Sequence, residues 1–491
     1  MSSFDEINED VLEIILANAI SNESHLKQVP LVCEKWRCVT PRCVTRIHLR
    51  HYNSLEYAVS RICRLKELKI GVNRGEYVPY QSMSAIEDKI QDISPLSVLT
   101  ELVHLDISNT YVTDISPLEG LTSLTHLDMS HTYVTHRSPL FGLTSLTHLN
   151  MSHTPLYNIQ ALYGLTSLIH LNMAHTLVTD ISPLEGLTSL IHLDISLIQA
   201  KLKDISPLSG LTSLIHLDIS HLKYVDEHPL SAISGLNALV HLNISHLGNK
   251  LEDISQLSGL TELVHLNMAY TRVGEQDLSP LTGLTSLIHL NMEGTRLEYL
   301  SSLSGINSLI HLDISHLKYK LEDISPVSGI TALLHLNMEG TRVPSISLLS
   351  GLTSLVHLNM AYICVVEDRV RMSGFRRRSK VIDISPLSGL TELVHLDISN
   401  TYVTDISPMA GLTSLVHLDI SNTDVEDISP LAGLTSLVHL NMKGTDVEDI
   451  SPLAGLTSLV HLDISNTDVD DISPLAGLTS LTYLKNGWND V

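Results

Sequence analysis

The chain has 491 residues, 43% of them hydrophobic but with only 3 Phe and 2 Trp, so a core must come from Leu, Ile, Val and Met of similar size. Its formal charge of −24 falls almost wholly on residues 95–491, which hold 18 Lys and Arg against 41 Asp and Glu, whereas residues 1–94 hold 12 against 13. Acidity of this extent excludes nucleic-acid binding led by phosphate contacts and favours a basic protein partner.

Residues 7–37 read INEDVLEIILANAISNESHLKQVPLVCEKWR, with apolar residues at Val11, Leu12, Ile15 and Leu16, then at Leu26, Val29, Val32, Cys33 and Trp36. Both sets follow helical spacing. The stretch VLEIILANAI is too short to span a bilayer, and the acidic FDEINED before it is the opposite of a secretory signal's basic start. Five cysteines, Cys33, Cys38, Cys43, Cys63 and Cys364, form no CxxC pair and fit a reducing compartment better than a disulfide framework. A soluble intracellular protein, cytoplasmic or nuclear, is expected.

This segment resembles an F-box. Ile7, Asn8, Asp10, Val11, Leu12 and Ile15 occupy the opening of that pattern, and Val32, Cys33, Glu34, Lys35, Trp36 and Arg37 its Val-Cys-basic-x-Trp close. Asn8 replaces the usual Pro, and Glu34 stands where a basic residue is common. The resemblance implies docking to a Skp-family adaptor, hence to a cullin-based ubiquitin ligase, with Ile7, Val11, Leu12, Ile15, Val32 and Trp36 as the adaptor-binding residues. Helices this short cannot bury their own apolar faces, which leaves a partner's surface as the sink. The alternative is an amphipathic cap for the rest of the chain.

VTRIHLRHYN at 44–53 and RLKELKIGVN at 65–74 each carry an apolar-x-apolar pair, Ile47 with Leu49 and Leu68 with Ile70, and read as degenerate capping turns. A 22-residue unit then recurs, almost letter for letter at 412–433, 434–455 and 456–477. Length alone suggests about three domains. The period overrides that count, because so short a unit buries its apolar face only against neighbouring copies, which makes a solenoid. Numbered from Leu412, apolar residues fall at positions 1, 4, 7, 9, 14, 17 and 20. Positions 7 and 9 alternate with polar neighbours, so each turn contributes one short parallel strand. In the tail Asp427-Ile428-Ser429-Pro430-Leu431, Ser at an N-cap and Pro at the first helical position predict a short helical or 3₁₀ turn, and Gly433 lets the chain turn back.

The pattern LxxLxxLxIxxTxVxxIxxL resembles the leucine-rich repeat, in the 22-residue form with a DISPL tail seen in bacterial internalins. The expected fold class is an α/β solenoid, a curved leucine-rich array with a parallel concave sheet, preceded by a small helical F-box. Domains are expected at 1–43 (F-box-like), 44–94 (irregular capping turns) and 95–491 (the array).

Position 6 is His in sixteen turns, from His104 to His461, with Tyr483 in a truncated last one; strands about 4.8 Å apart give a face on the order of 75 Å long. Position 8 divides evenly between Asp and Asn, position 10 is mostly Ser, and the three are expected to share the concave face. Candidates for holding a protein substrate there are His104, Asp106, His126, Asp128, His192, Asp194, His216, Asp218, His417, Asp419, His461 and Asp463. The competing reading is solvated filler multiplied by duplication. Imidazolium charges ~5 Å apart repel by on the order of 1 kcal/mol in water, so the column should protonate anticooperatively and below its free value. No metal is expected, since a flat column offers Zn²⁺ no tetrahedral set. Neither catalytic residue nor cofactor is expected, since His, Asp and Ser recur at fixed spacing instead of converging once.

Position 12, usually Asn in such repeats, is Thr in eleven turns and Ile198, Leu222, Leu247, Leu317 or Ile363 in the other five. Those five are longer than 22 residues and must pair their loop groups by another path. Between His357 and His395 the spacing reaches 38, and an insertion at about 364–380 holds Arg369, Arg371, Arg376, Arg377, Arg378 and Lys380. Arg376, Arg377 and Arg378 are candidates for docking an acidic partner, a solvated loop being the alternative. The expected function is that of the substrate-recognition subunit of an SCF-type ubiquitin ligase: a monomeric, non-catalytic solenoid that holds a basic protein substrate. The alternative is a leucine-rich scaffold with no ubiquitin role. Nucleic acid and membrane are not expected partners.

Overall fold

The computed structural model describes residues 46–49, 65–70, 90–135, 139–202, 204–222, 229–247, 251, 253–273, 278–366 and 381–487. The F-box-like segment with Ile7, Val11, Leu12, Ile15, Val32 and Trp36, and the arginines Arg376, Arg377 and Arg378, lie outside the described residues. The chain divides into two compact units, Met1–Leu239 and Val240–Val491.

In the first unit, β1 (Arg46–Leu49) pairs in parallel with β2 (Glu67–Ile70), setting Ile47 opposite Leu68 and Leu49 opposite Ile70. β2 pairs with β3 (His104–Asp106), and three-residue strands then follow turn by turn to His216–Asp218, each parallel and with histidine opposite histidine. The second unit repeats this arrangement from His241–Asn243 to Tyr483–Lys485. The apolar positions are buried along the array, as Leu412, Leu415, Leu418, Ile420, Val425, Ile428 and Leu431 illustrate in one turn, and become exposed in the last turns, at Ile472 and Leu484. Each fully buried Leu contributes about 2–3 kcal/mol over an exposed one, and a face of identical branched side chains stacks in layers without large aromatics.

Ser429 opens a 3₁₀ helix, Ser429–Gly433, with Pro430 behind it. The cap is Asp427 and not Ser429: its Oδ1 accepts the Ser429 N–H at 2.8 Å and its Oδ2 the Ser429 hydroxyl at 2.9 Å. A short carboxylate two residues upstream reaches that amide with less strain than a side chain on the helix itself. The same bonds hold Asp405, Asp449 and Asp471 below the usual carboxylate range.

The chain's tight bend is not at Gly433, whose φ is ordinary, but at position 11. There, all sixteen turns enter the left-handed region, from Asn109 to Asn466, with glycine at Gly294, Gly340 and Gly444. The bend lets each N–H cross to the next turn, as Asn109 does to the Ser130 carbonyl at 3.0 Å. Asn, His and Gly tolerate this conformation; Leu197, at φ 56°, does so at a cost of about 1–2 kcal/mol. Leu197→Asn is therefore expected to stabilise the first unit by about 1 kcal/mol in urea unfolding. An unchanged or lower midpoint would show that the Leu197 side chain recovers the strain through packing.

Buried Thr at position 12 donates to the carbonyl three residues back, as Thr423 does to Ile420 at 2.6 Å. Where the residue is apolar, the ladder shifts as expected. The N–H after Thr132 and Thr445 reaches the position-14 carbonyl of the turn before, Tyr133 to Val112 and Asp446 to Val425. After Ile198, Leu317 and Ile363 it reaches position 12 instead, Gln199 to Thr176, Lys318 to Thr295 and Cys364 to Thr341. A two-residue shift thus accommodates the longer turns.

Candidate functional site

Strand pairing in register stacks the position-6 imidazoles face to face. In the first unit ring centroids are 4.0 Å apart for His104–His126, 4.1 Å for His126–His148 and 4.4 Å for His148–His170. The stack opens at His192, 5.5 Å from His170 and 5.4 Å from His216, the latter pair tilted by 45°. In the second unit every successive pair from His241 to His461 lies between 4.0 and 4.4 Å.

Burial, and then at most of them the neighbouring imidazoles, lower the pKa values of eleven column histidines, to about 4 at His148, His289 and His395. The direction agrees with mutual repulsion read from the sequence, but loss of water around the half-buried rings is the larger cause. Asp194 and Asp218 partly oppose the shift at His192. At neutral pH the imidazoles whose pKa is lowered, among them His126, His148, His289, His311, His335 and His395, are therefore uncharged.

The position-8 carboxylates are half committed to the fold. Oδ1 accepts the N–H two residues on in Asp106, Asp128, Asp194, Asp218, Asp419 and Asp463, at 2.8–2.9 Å. Several outer oxygens meet a donor on the next strand: Asn150 Nδ2 at 3.2 Å from Asp128 Oδ2, Asn441 Nδ2 at 2.7 Å from Asp419 Oδ2, and Lys69 Nζ at 2.7 Å from Asp106 Oδ2. Position 10 is divided: Ser130, Ser152, Ser421 and Ser465 are buried, with Ser465 donating its hydroxyl to Asp463, whereas Glu339 reaches the face and accepts from Asn359 Nδ2 at 3.2 Å. Closeness to the left-handed bend draws these short serine side chains under the turn.

The structure adds a second set of rings at position 11. His131–His153 and His153–His175 stack at 4.2 and 4.1 Å, and His246 stacks on Tyr270 at 4.6 Å. Tyr270 donates to Glu293 at 2.5 Å, which pushes its pKa up to about 12. The signal was present in the sequence as Asn, His or Gly at one fixed position in thirteen of the sixteen turns, the types that accept a left-handed backbone. In the first unit, the strand face from Glu67 to His192 lines a trough of about 540 Å³. Among the described residues, no group of three or more His, Cys, Asp or Glu could hold a metal ion, and no helix is long and apolar enough to cross a membrane.

A profile described as leucine-rich repeats, in two copies, matches residues 100–140 and 413–455. Residues 100–140 and 413–455 are leucine-rich repeats. A leucine-rich-repeat protein of Leptospira interrogans is similar in structure, with a TM-score of 0.63 and 15% identity over 89% of this chain and 99% of that one. The functional domain of InlJ from Listeria monocytogenes gives 0.55 and 23%, covering 74% and 72%. TLR13, in a complex with ssRNA13, gives 0.56 and 17%, covering 92% and 63%. No curated protein matches the chain. These likenesses establish a leucine-rich-repeat solenoid with parallel strands.

Proposed function

We propose that the chain is a non-catalytic scaffold whose leucine-rich strand face holds a protein partner. The observation that carries this reading is the in-register display of stacked imidazoles beside carboxylates and amides, the candidates His104 to Asp128, His192 to Asp218 and His417 to Asp463 among them. Such a face has hydrogen-bond acceptors, little positive charge and no reactive centre. RNA, the ligand named for TLR13, suits it poorly, since residues 95–491 carry 41 acidic against 18 basic residues. A basic protein fits.

The finer reading adds a ubiquitin-ligase role: residues 1–43 as an F-box engaging a Skp-family adaptor and cullin ligase, 44–94 as capping turns and 95–491 as the substrate receptor, in the cytoplasm or nucleus. It is supported by VCEKWR at 32–37 and by the apolar spacing of Val11, Leu12 and Ile15. The mechanism would be tethering, which raises the effective concentration of substrate near the ligase. Affinity purification of the full chain tests both levels. A Skp-family adaptor is expected to co-purify and to be lost on Leu12→Asp or Trp36→Ala. Recovery of a strand-face partner with no adaptor would leave the scaffold alone.

A further inference from the structure

Two turns of the first unit differ from the other histidine turns at position 5, just before the column histidine. They carry Thr125 and Thr147, where the remaining fourteen turns have Val, Ile or Leu. Thr125 Oγ1 lies 2.8 Å from His126 Nδ1 and 3.3 Å from the Val103 carbonyl oxygen. Thr147 Oγ1 lies 2.9 Å from His148 Nδ1 and 3.1 Å from the Thr125 carbonyl oxygen. A carbonyl can only accept, so the hydroxyl proton goes to it and the hydroxyl oxygen accepts from the ring. The reverse order, with the hydroxyl donating to Nδ1, makes one hydrogen bond fewer at each turn.

Both rings are thereby set as the Nδ1–H tautomer, and Nε2 is left as a hydrogen-bond acceptor. The two rings stack at 4.1 Å and 9° from parallel, so their Nε2 atoms form an adjacent pair aimed alike. Both line the trough, together with Glu67, Asp106 and Asp128. One ammonium group already sits at its edge, that of Lys69 on Asp106 at 2.7 Å. What such a lining matches is a positively charged N–H donor.

We propose that His126 and His148 form a paired acceptor site for lysine or arginine side chains of a basic protein segment, with Thr125 and Thr147 as the positioning residues that fix it. The proposal rests on the strand face being a protein-binding surface and names the chemistry that surface takes. The test uses the full chain and an oligo-arginine peptide as probe, with the double variant Thr125→Val and Thr147→Val. Valine occupies the same position in eight other turns, including those of His104 and His417, so the fold accepts it. Calorimetric affinity for the peptide is expected to fall about tenfold in the variant. Long-range ¹H–¹⁵N spectra, assigned through His126→Gln and His148→Gln, should show the Nδ1–H tautomer in the native chain and lose it in the variant.

Nε2–H tautomers at both rings in the native chain, or equal peptide affinity of the two proteins, would overturn the proposal. A native chain that ignores the peptide yet captures a partner of other chemistry would overturn it as well while sparing the scaffold reading. Failure to capture any protein partner would remove both.

Discussion

Acidification from pH 7.5 to 4.5 is expected to lower the apparent melting temperature by more than about 10 °C, well before carboxylate loss alone would. His126, His148, His192, His216, His289, His311, His335, His357, His395, His417 and His439 all have pKa values below 6.5 in the folded chain. The unfolded chain binds protons at these groups from about pH 6.5 downward, whereas the folded chain does so only near about 4 at His148, His289 and His395. Their stabilisation is therefore complete above about pH 6.5 and is lost as pH falls through the window below it. Asp397 works against the trend: burial raises its pKa, with Asp419 and Glu339 contributing, so its protonation favours the fold as pH drops. One group offsets a column only slightly. Differential scanning calorimetry across the range checks the expectation, and a flat profile would show that the rings titrate as independent, solvated side chains.

Replacing Leu437 by alanine is expected to destabilise the second unit by about 3–4 kcal/mol, measured by guanidinium unfolding. Leu437 is 0% exposed, as are Leu415 and Leu459 at the same position one turn before and after. The layer cannot collapse around the deletion, because both neighbours are fixed by their own strand pairing. Stability in a stacked array is largely a sum of nearest-neighbour terms, so both interfaces of the turn weaken together. A separate early transition from the C-terminal turns is expected beside the main one. Val98→Ala, at a residue 67% exposed, should change the midpoint by less than about 0.5 kcal/mol. A Leu437→Ala effect below about 1 kcal/mol would mean that the stack relaxes across several layers.

Much of this architecture can be read from spacing alone. Leu418 and Ile420 alternate with His417 and Asp419, and the strand lies where that alternation puts it. The column itself follows from a single recurring letter. What escaped were features set by atoms instead of residue types. Asp427 and Ser429 are both good capping residues, and only the backbone path decides between them. Gly433 looks like the bend, yet the bend occurs at Asn422, because any residue with a short polar side chain or none can enter the left-handed region. Ser421 looks like part of the face until the neighbouring bend carries it under the turn. The stacking at His192 loosens with nothing in its own turn's first ten residues to announce it.

The three nearly identical C-terminal copies leave a ligand that covers one turn with several berths of almost equal depth. Multiplicity of that kind strengthens binding through the number of ways of being bound, by about 0.6 kcal/mol for three choices, and it lets an occupant step along without full release. The succession Asp419, Asn441, Asp463 breaks the degeneracy on the strand face, marking successive berths by charge.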